Sequence, residues 1–147
     1  MKRPSYEIIS IEHLNAIVKE ICEAYEEIQI AYLYGSYSQG LNNKHSDIDI
    51  GVVLKDPKSN GPLFFARIGH EIEKKLHYKV NVDLRILNNA NPRFLYQVLK
   101  NKHLLYYKNE TFKDEYELKV LNQYLDIKPL LDEFDENYIK KVLENEN

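Results

Sequence analysis

Tyr32-Leu33-Tyr34-Gly35-Ser36-Tyr37-Ser38-Gln39-Gly40-Leu41-Asn42-Asn43-Lys44-His45-Ser46-Asp47-Ile48-Asp49-Ile50 is the stretch on which the fold turns. The apolar and aromatic run from Gln29 to Tyr34 predicts a short buried strand, and Gly35 ends it. The ten residues between Ser36 and Asp47 are polar and small apart from Tyr37 and Leu41. They predict an irregular loop or one short helix. A second strand is expected from Ile48 to Leu54, with Asp47 at its mouth. Side chains alternate between the faces of a strand, so Asp47 and Asp49 share one side while Ile48 and Ile50 enter the core.

Two carboxylates about 4 Å apart repel by roughly 4 kcal/mol at an effective dielectric near 20. A divalent cation between them, or solvent over them, removes that cost. Hard oxygen donors suit Mg²⁺, which keeps several waters and bridges to phosphate oxygens. Asp-x-Asp by itself equally describes a solvated strand face. Gly35-Ser36 adds the second half of a site: a glycine directly after a buried strand permits a tight turn and close approach of a ligand to the backbone. Its exposed amides and the Ser36 hydroxyl make an anchor for a terminal phosphate. Neither a Gly-Lys-Ser/Thr phosphate loop nor a Gly-x-Gly-x-x-Gly turn occurs. P-loop and Rossmann sites are therefore not indicated.

Outward from this centre, Ile8, Ile11, Leu14, Ile17, Val18 and Ile21 recur at helical spacing, predicting an amphipathic helix from about Tyr6 to Tyr25. Lys55 to Pro62 reads as a turn region. Phe64, Phe65, Ile68, Ile72 and Leu76 line one side of a predicted helix from Leu63 to Leu76. Val80, Val82, Leu84 and Ile86 alternate in a predicted strand from Lys79 to Leu87. Asp83 emerges from that strand on the polar side, with Asn81 and Arg85. Set beside Ile48–Leu54, it would join the two aspartates as a third carboxylate able to bind the ion or take a proton from an attacking hydroxyl. Pro92 suits the first turn of a helix ending near Lys100, and Leu104 to Tyr107 a short edge strand. Thr111 with Asp114 resembles a helix cap. Pro129 is expected to part that helix from a last one carrying Leu131, Phe134, Tyr138 and Val142.

The whole, 147 residues with 44% apolar and 29% charged content, fits one domain over residues 1–147 without disulfides. Cys22 is the single cysteine, which excludes an intrachain disulfide and favours a reducing, cytoplasmic setting. No stretch approaches the ~20 apolar residues of a membrane span. Residues 1–109 carry a net +3 and residues 110–147 a net −6, so a broad basic surface for nucleic acid is not expected. His13, His70, His77 and His103 show no zinc-ligand spacing. Lys44, His45 and Ser46 stand before the acidic pair, where a phosphate contact competes with ordinary loop polarity. Most of the 12 tyrosines suit core edges and interfaces, and Tyr34 or Tyr37 could stack on a base or partner.

Gly35-Ser36, ten residues, then Asp47-Ile48-Asp49 resembles the signature of polymerase-beta-type nucleotidyltransferases. More narrowly, the chain resembles the minimal nucleotidyltransferase antitoxins that pair with HEPN ribonuclease toxins. Val82-Asp83-Leu84, Leu87-Asn88-Asn89-Ala90, Tyr96-Gln97-Val98-Leu99, Leu104-Leu105-Tyr106 and Tyr124-Leu125-Asp126 fall in the family's order. Asn101-Lys102 departs from it, standing where relatives commonly have a glycine. The resemblance implies an α/β (α+β) minimal nucleotidyltransferase fold: a small mixed β-sheet flanked by helices, with C-terminal helices. It implies AMP transfer from ATP to a tyrosine of a cognate HEPN toxin, and a hetero-oligomer with that toxin. Gly35 and Ser36 would then hold the triphosphate, and Asp47, Asp49 and Asp83 would be the catalytic, Mg²⁺-binding triad. The Arg-x₄₋₆-His spacing of the toxin itself is absent. Transfer to a small hydroxyl compound such as an aminoglycoside, and non-catalytic binding of the toxin, are the competing readings.

Overall fold

In the computed structural model, which describes residues 8–43, 45–58 and 61–145, four strands form one sheet. The elements run α1 (Ile11–Glu23), β1 (Ile28–Tyr34), α2 (Ser36–Gln39), β2 (Ile48–Leu54), α3 (Pro62–Lys75), β3 (Val82–Ile86), α4 (Pro92–Lys100), β4 (His103–Tyr107) and α5 (Glu110–Asn145). Strand order is β3-β2-β1-β4. β1 is antiparallel to both β2 and β4, and β2 is parallel to β3. The sheet is therefore mixed, as expected. A parallel neighbour demands a crossover, and α3 supplies it.

Two apolar layers cover the sheet. Leu14, Val18 and Ile21 of α1, with Ile68 and Ile72 of α3, pack against Ala31, Leu33, Ile48, Ile50 and Val52. The alternate residues Ile30, Tyr32 and Val53 face Leu95, Val98 and Val120 of α4 and α5. Because β1 and β2 are buried on both faces, they read as nearly unbroken apolar runs. Tyr32 is fully buried, and its hydroxyl donates to Glu117 of α5 at 2.9 Å. Lys102 reaches the same carboxylate. Asn88 clamps the far end of β2: its side chain accepts from the Leu54 amide and donates to the Leu54 carbonyl, both at 2.8 Å.

Several expectations change, and the strand predicted from Lys79 is shorter, beginning only at Val82. The first helix begins at Ile11, because the Ser10 hydroxyl accepts from the His13 amide and caps it. Ile8 and Ile9 precede it in extended chain, and Tyr6 lies outside the described residues. The final helix is capped by Asn109, whose side chain accepts from the Phe112 amide, in place of Thr111. Its predicted break is absent: α5 runs unbroken through Pro129. Pro129 is exposed, so the carbonyl it leaves unbonded can turn to water, and Lys128 bridges Asp132 across it at 2.8 Å.

No helix among the described residues is long and apolar enough to cross a membrane. Pro129→Ala would restore the missing backbone donor and remove the ring clash. A gain of about 1–3 kcal/mol in helix free energy follows. It would be read as stronger helical ellipticity and slower amide exchange over residues 125–133; unchanged exchange would refute it.

Candidate active site

Strand register gathers the predicted residues at one end of the sheet. Tyr34 pairs with Asp49, and Asp49 pairs with Asp83, so the three lie abreast on β1, β2 and β3. Residues directly opposite in neighbouring strands project to the same face. Ile48 and Ile50 are fully buried on the other face. Asp47 stands one residue before β2 and is exposed. The Ile48 amide donates to the Asn81 carbonyl at 2.9 Å, which pins the entry of β2 to that of β3.

Gly35 occupies φ +73°, a conformation that L side chains seldom adopt. A Cβ at this position would run into the Asp49 carboxylate. The glycine thus lets the β1–α2 turn press directly on the carboxylate of β2. Ser36 opens α2, and the Ser38 hydroxyl closes the turn by donating to the Gly35 carbonyl at 2.9 Å. Gly40, at φ +70°, ends the helix with its amide on the Ser36 carbonyl. The segment that follows is held by its own side chains. Ser46 Oγ accepts from the Asn43 amide, and Asn43 Oδ1 accepts from the His45 amide. His45, Ser46 and Asp47 border a cavity of about 160 Å³ with Val80 and Asn81. Lys44 lies outside the described residues.

Burial raises the Asp49 carboxyl above its ordinary value of 3.8, and the charges of Asp83 and Asp47 raise it further against the opposing pull of Arg85. Asp83 Oδ2 lies 3.5 Å from Arg85 Nε. The Arg85 guanidinium in turn sits 5.7 Å from the Phe94 ring centre at the start of α4. Phe94 meets Tyr34 edge to face at 5.7 Å. The Tyr34 hydroxyl is buried without a hydrogen-bond partner among the described residues, and burial pushes it up to about 12.

Asp47, Asp49 and Asp83 are the side chains here that could hold a divalent cation. They crowd negative charge around one another, but among the described residues no three acidic, His or Cys side chains are drawn into a metal-holding cluster. Asp83 is engaged by Arg85 instead. The two wider cavities, about 380 and 530 Å³, open along α5 and do not reach the aspartates. Residue pattern had placed Arg85 merely on the polar face of β3. Its spacing two residues from Asp83 was the signal for contact. Phe94 carried no signal, because only packing of α4 against β1 brings it to the site.

Residues 17–111 match the family model described as Polymerase beta, Nucleotidyltransferase, and the chain belongs to that family. Within it, the chain is similar to the protein adenylyltransferase MntA of Shewanella oneidensis, at 37% identity over 87 residues. That match covers 58% of this chain and spans 58% of the length of the curated relative. A crystal structure of a toxin–antitoxin with AMP-PNP shares the fold with a TM-score of 0.71 and 24% identity, over 86% of this chain and 98% of that one. The tri-AMPylated Shewanella oneidensis HEPN toxin in complex with MNT antitoxin gives 0.66 and 21%, over 87% and 97%.

Two outcomes follow from the crowding at Asp49. Gly35→Ala forces either the turn or the carboxylate to move and places alanine at positive φ, costing about 1–3 kcal/mol by chemical denaturation; a neutral effect would rule out the close approach. Asp49 holds its proton more tightly folded than unfolded, so its contribution to stability declines as pH rises from 3.8 through its folded value. Asp49→Asn should therefore stabilise the metal-free protein at neutral pH, with little change in acid. Equal unfolding midpoints for the two proteins at pH 7 would contradict the shift.

Proposed function

We propose that the chain is a Mg²⁺-dependent protein adenylyltransferase that moves AMP from ATP to a tyrosine of a cognate HEPN ribonuclease toxin and so acts as its antitoxin. The observation that carries this reading is the Gly35 turn pressed against Asp49, with Asp83 in register beside it. Family membership supports nucleotidyl transfer. The likeness to an adenylyltransferase and to an MNT antitoxin supports a protein acceptor.

In this reading the amides of the Gly35 turn and the Ser36 hydroxyl hold the triphosphate. Asp47, Asp49 and Asp83 would hold the cation, and their hard carboxylate oxygens suit Mg²⁺. Once bound, Mg²⁺ offsets the carboxylates' mutual repulsion and the charge on the phosphate oxygens. Asp83 turns from Arg85 towards the acceptor and takes the tyrosine hydroxyl proton. The tyrosine oxygen bonds to the α-phosphorus as the bond to pyrophosphate breaks. Because the two reactants are held in line, positioning and electrostatics supply most of the acceleration.

The test is to incubate the chain with the purified HEPN ribonuclease, ATP and Mg²⁺. Intact mass should show the ribonuclease heavier by whole AMP groups, mapped to tyrosine, and its RNase activity should fall. Asp47→Asn with Asp49→Asn should lower transfer by about 10²–10³-fold or more. An unmodified ribonuclease with the unaltered chain would sink the proposal.

A further inference from the structure

Arg85 stands among the aspartates as a cation, and it is held there loosely. Its Nε lies 3.5 Å from Asp83 Oδ2, longer than a charge-assisted hydrogen bond, and the two side chains are 58% and 48% exposed. Exposed pairs of this kind give way readily. The charge nevertheless reaches beyond Asp83. It opposes the repulsion that Asp83 and Asp47 exert at Asp49, and it bears on the buried Tyr34 hydroxyl.

Packing ties the guanidinium to the other half of the site. It sits 5.7 Å from the Phe94 ring centre, within range of cation–π attraction, and Phe94 meets Tyr34 edge to face. Tyr34 leads directly into the Gly35 turn. A chain of contacts thus runs from Asp83 through Arg85, Phe94 and Tyr34 to that turn. An ion pair that served stability alone would need none of this reach. The planar fork of an arginine also matches phosphate oxygens, which it can take in pairs.

We propose that Arg85 is a positioning residue with two partners in turn: it neutralises Asp83 in the free chain, and it passes to a nucleotide phosphate when the three aspartates take up a divalent cation. This rests on the reading of Asp47, Asp49 and Asp83 as the cation site. The exchange has a plain electrostatic cause. A guanidinium is repelled by a divalent cation beside it and attracted by phosphate oxygens. Phe94 keeps the released group at the site. Cation and nucleotide then each favour the arrangement that the other needs, and one side chain couples the two.

Arg85→Gln tests the exchange, because it should move two affinities in opposite directions. The side chain is exposed, so the variant should keep the helical ellipticity of the unaltered chain. Manganese titration of the nucleotide-free chain, followed by electron paramagnetic resonance, should show binding about threefold tighter or more. Calorimetry with a non-hydrolysable ATP analogue and Mg²⁺ should show binding about tenfold weaker or more. Arg85→Lys keeps the charge without the fork, and should restore the manganese affinity but only part of the nucleotide affinity. A manganese affinity that does not rise in Arg85→Gln overturns the proposal, and so does a nucleotide affinity that does not fall. If the opposed shifts appear yet the unaltered chain transfers no AMP to the HEPN ribonuclease, the transferase reading fails while the exchange stands. If neither the unaltered chain nor the variants bind manganese or the analogue, both fail.

Discussion

Burying β2 between β1 and β3 is the constraint from which the rest follows. A central strand paired on both edges and covered on both faces has nowhere to put a charge except at its end. Asp49 takes that place: its backbone is paired on both sides, while its carboxyl emerges where the apolar cover of Ile30, Tyr32 and Val53 gives way. The cost of half-burying it beside Asp83 and Asp47 is written in its raised proton affinity. Such a cost persists where something else is gained, and a perturbed carboxyl of this kind marks a candidate functional site.

The turn after β1 is shaped by the same demand. Gly35 adopts positive φ because it has no Cβ, and nothing larger fits between the chain and the Asp49 carboxylate. The second apolar layer then holds the assembly from beneath. Tyr32 threads from the middle of β1 to Glu117 of α5, and a hydrogen bond to a charged acceptor is worth about 1.5–3 kcal/mol. Lys102 neutralises that carboxylate, so the buried ring ends in a satisfied polar group. Through this link the long helix is fixed relative to the strand that carries the Gly35 turn.

Much of this was legible in the residues because local periodicity and global burial agree. Ile48–Leu54 was bounded correctly, since its apolar run is short and stops at polar residues on both sides. β4 was rightly placed at the sheet edge. The errors fell where a boundary depends on a side-chain cap or on solvent. Ser10 moved the start of α1, Asn109 moved the start of α5, and water with the Lys128–Asp132 pair carried the helix through Pro129. A proline's penalty is local, and an exposed helix can absorb it when the residues on either side favour the helix.

At the site, sequence alone determined the chemical types and their parity: glycine and serine after a strand, then two carboxylates on one side of the next. Strand alternation is a property of the backbone, so it needs no knowledge of the neighbours. Asp83 was named as the third candidate from its strand parity, but its place abreast of Asp49 was decided by tertiary structure, because parallel pairing of β2 with β3 depends on the α3 crossover and on the core beneath it. The packing of α4 likewise brought Phe94 to Tyr34. Contacts between distant segments follow from how the layers stack, and no local pattern encodes them.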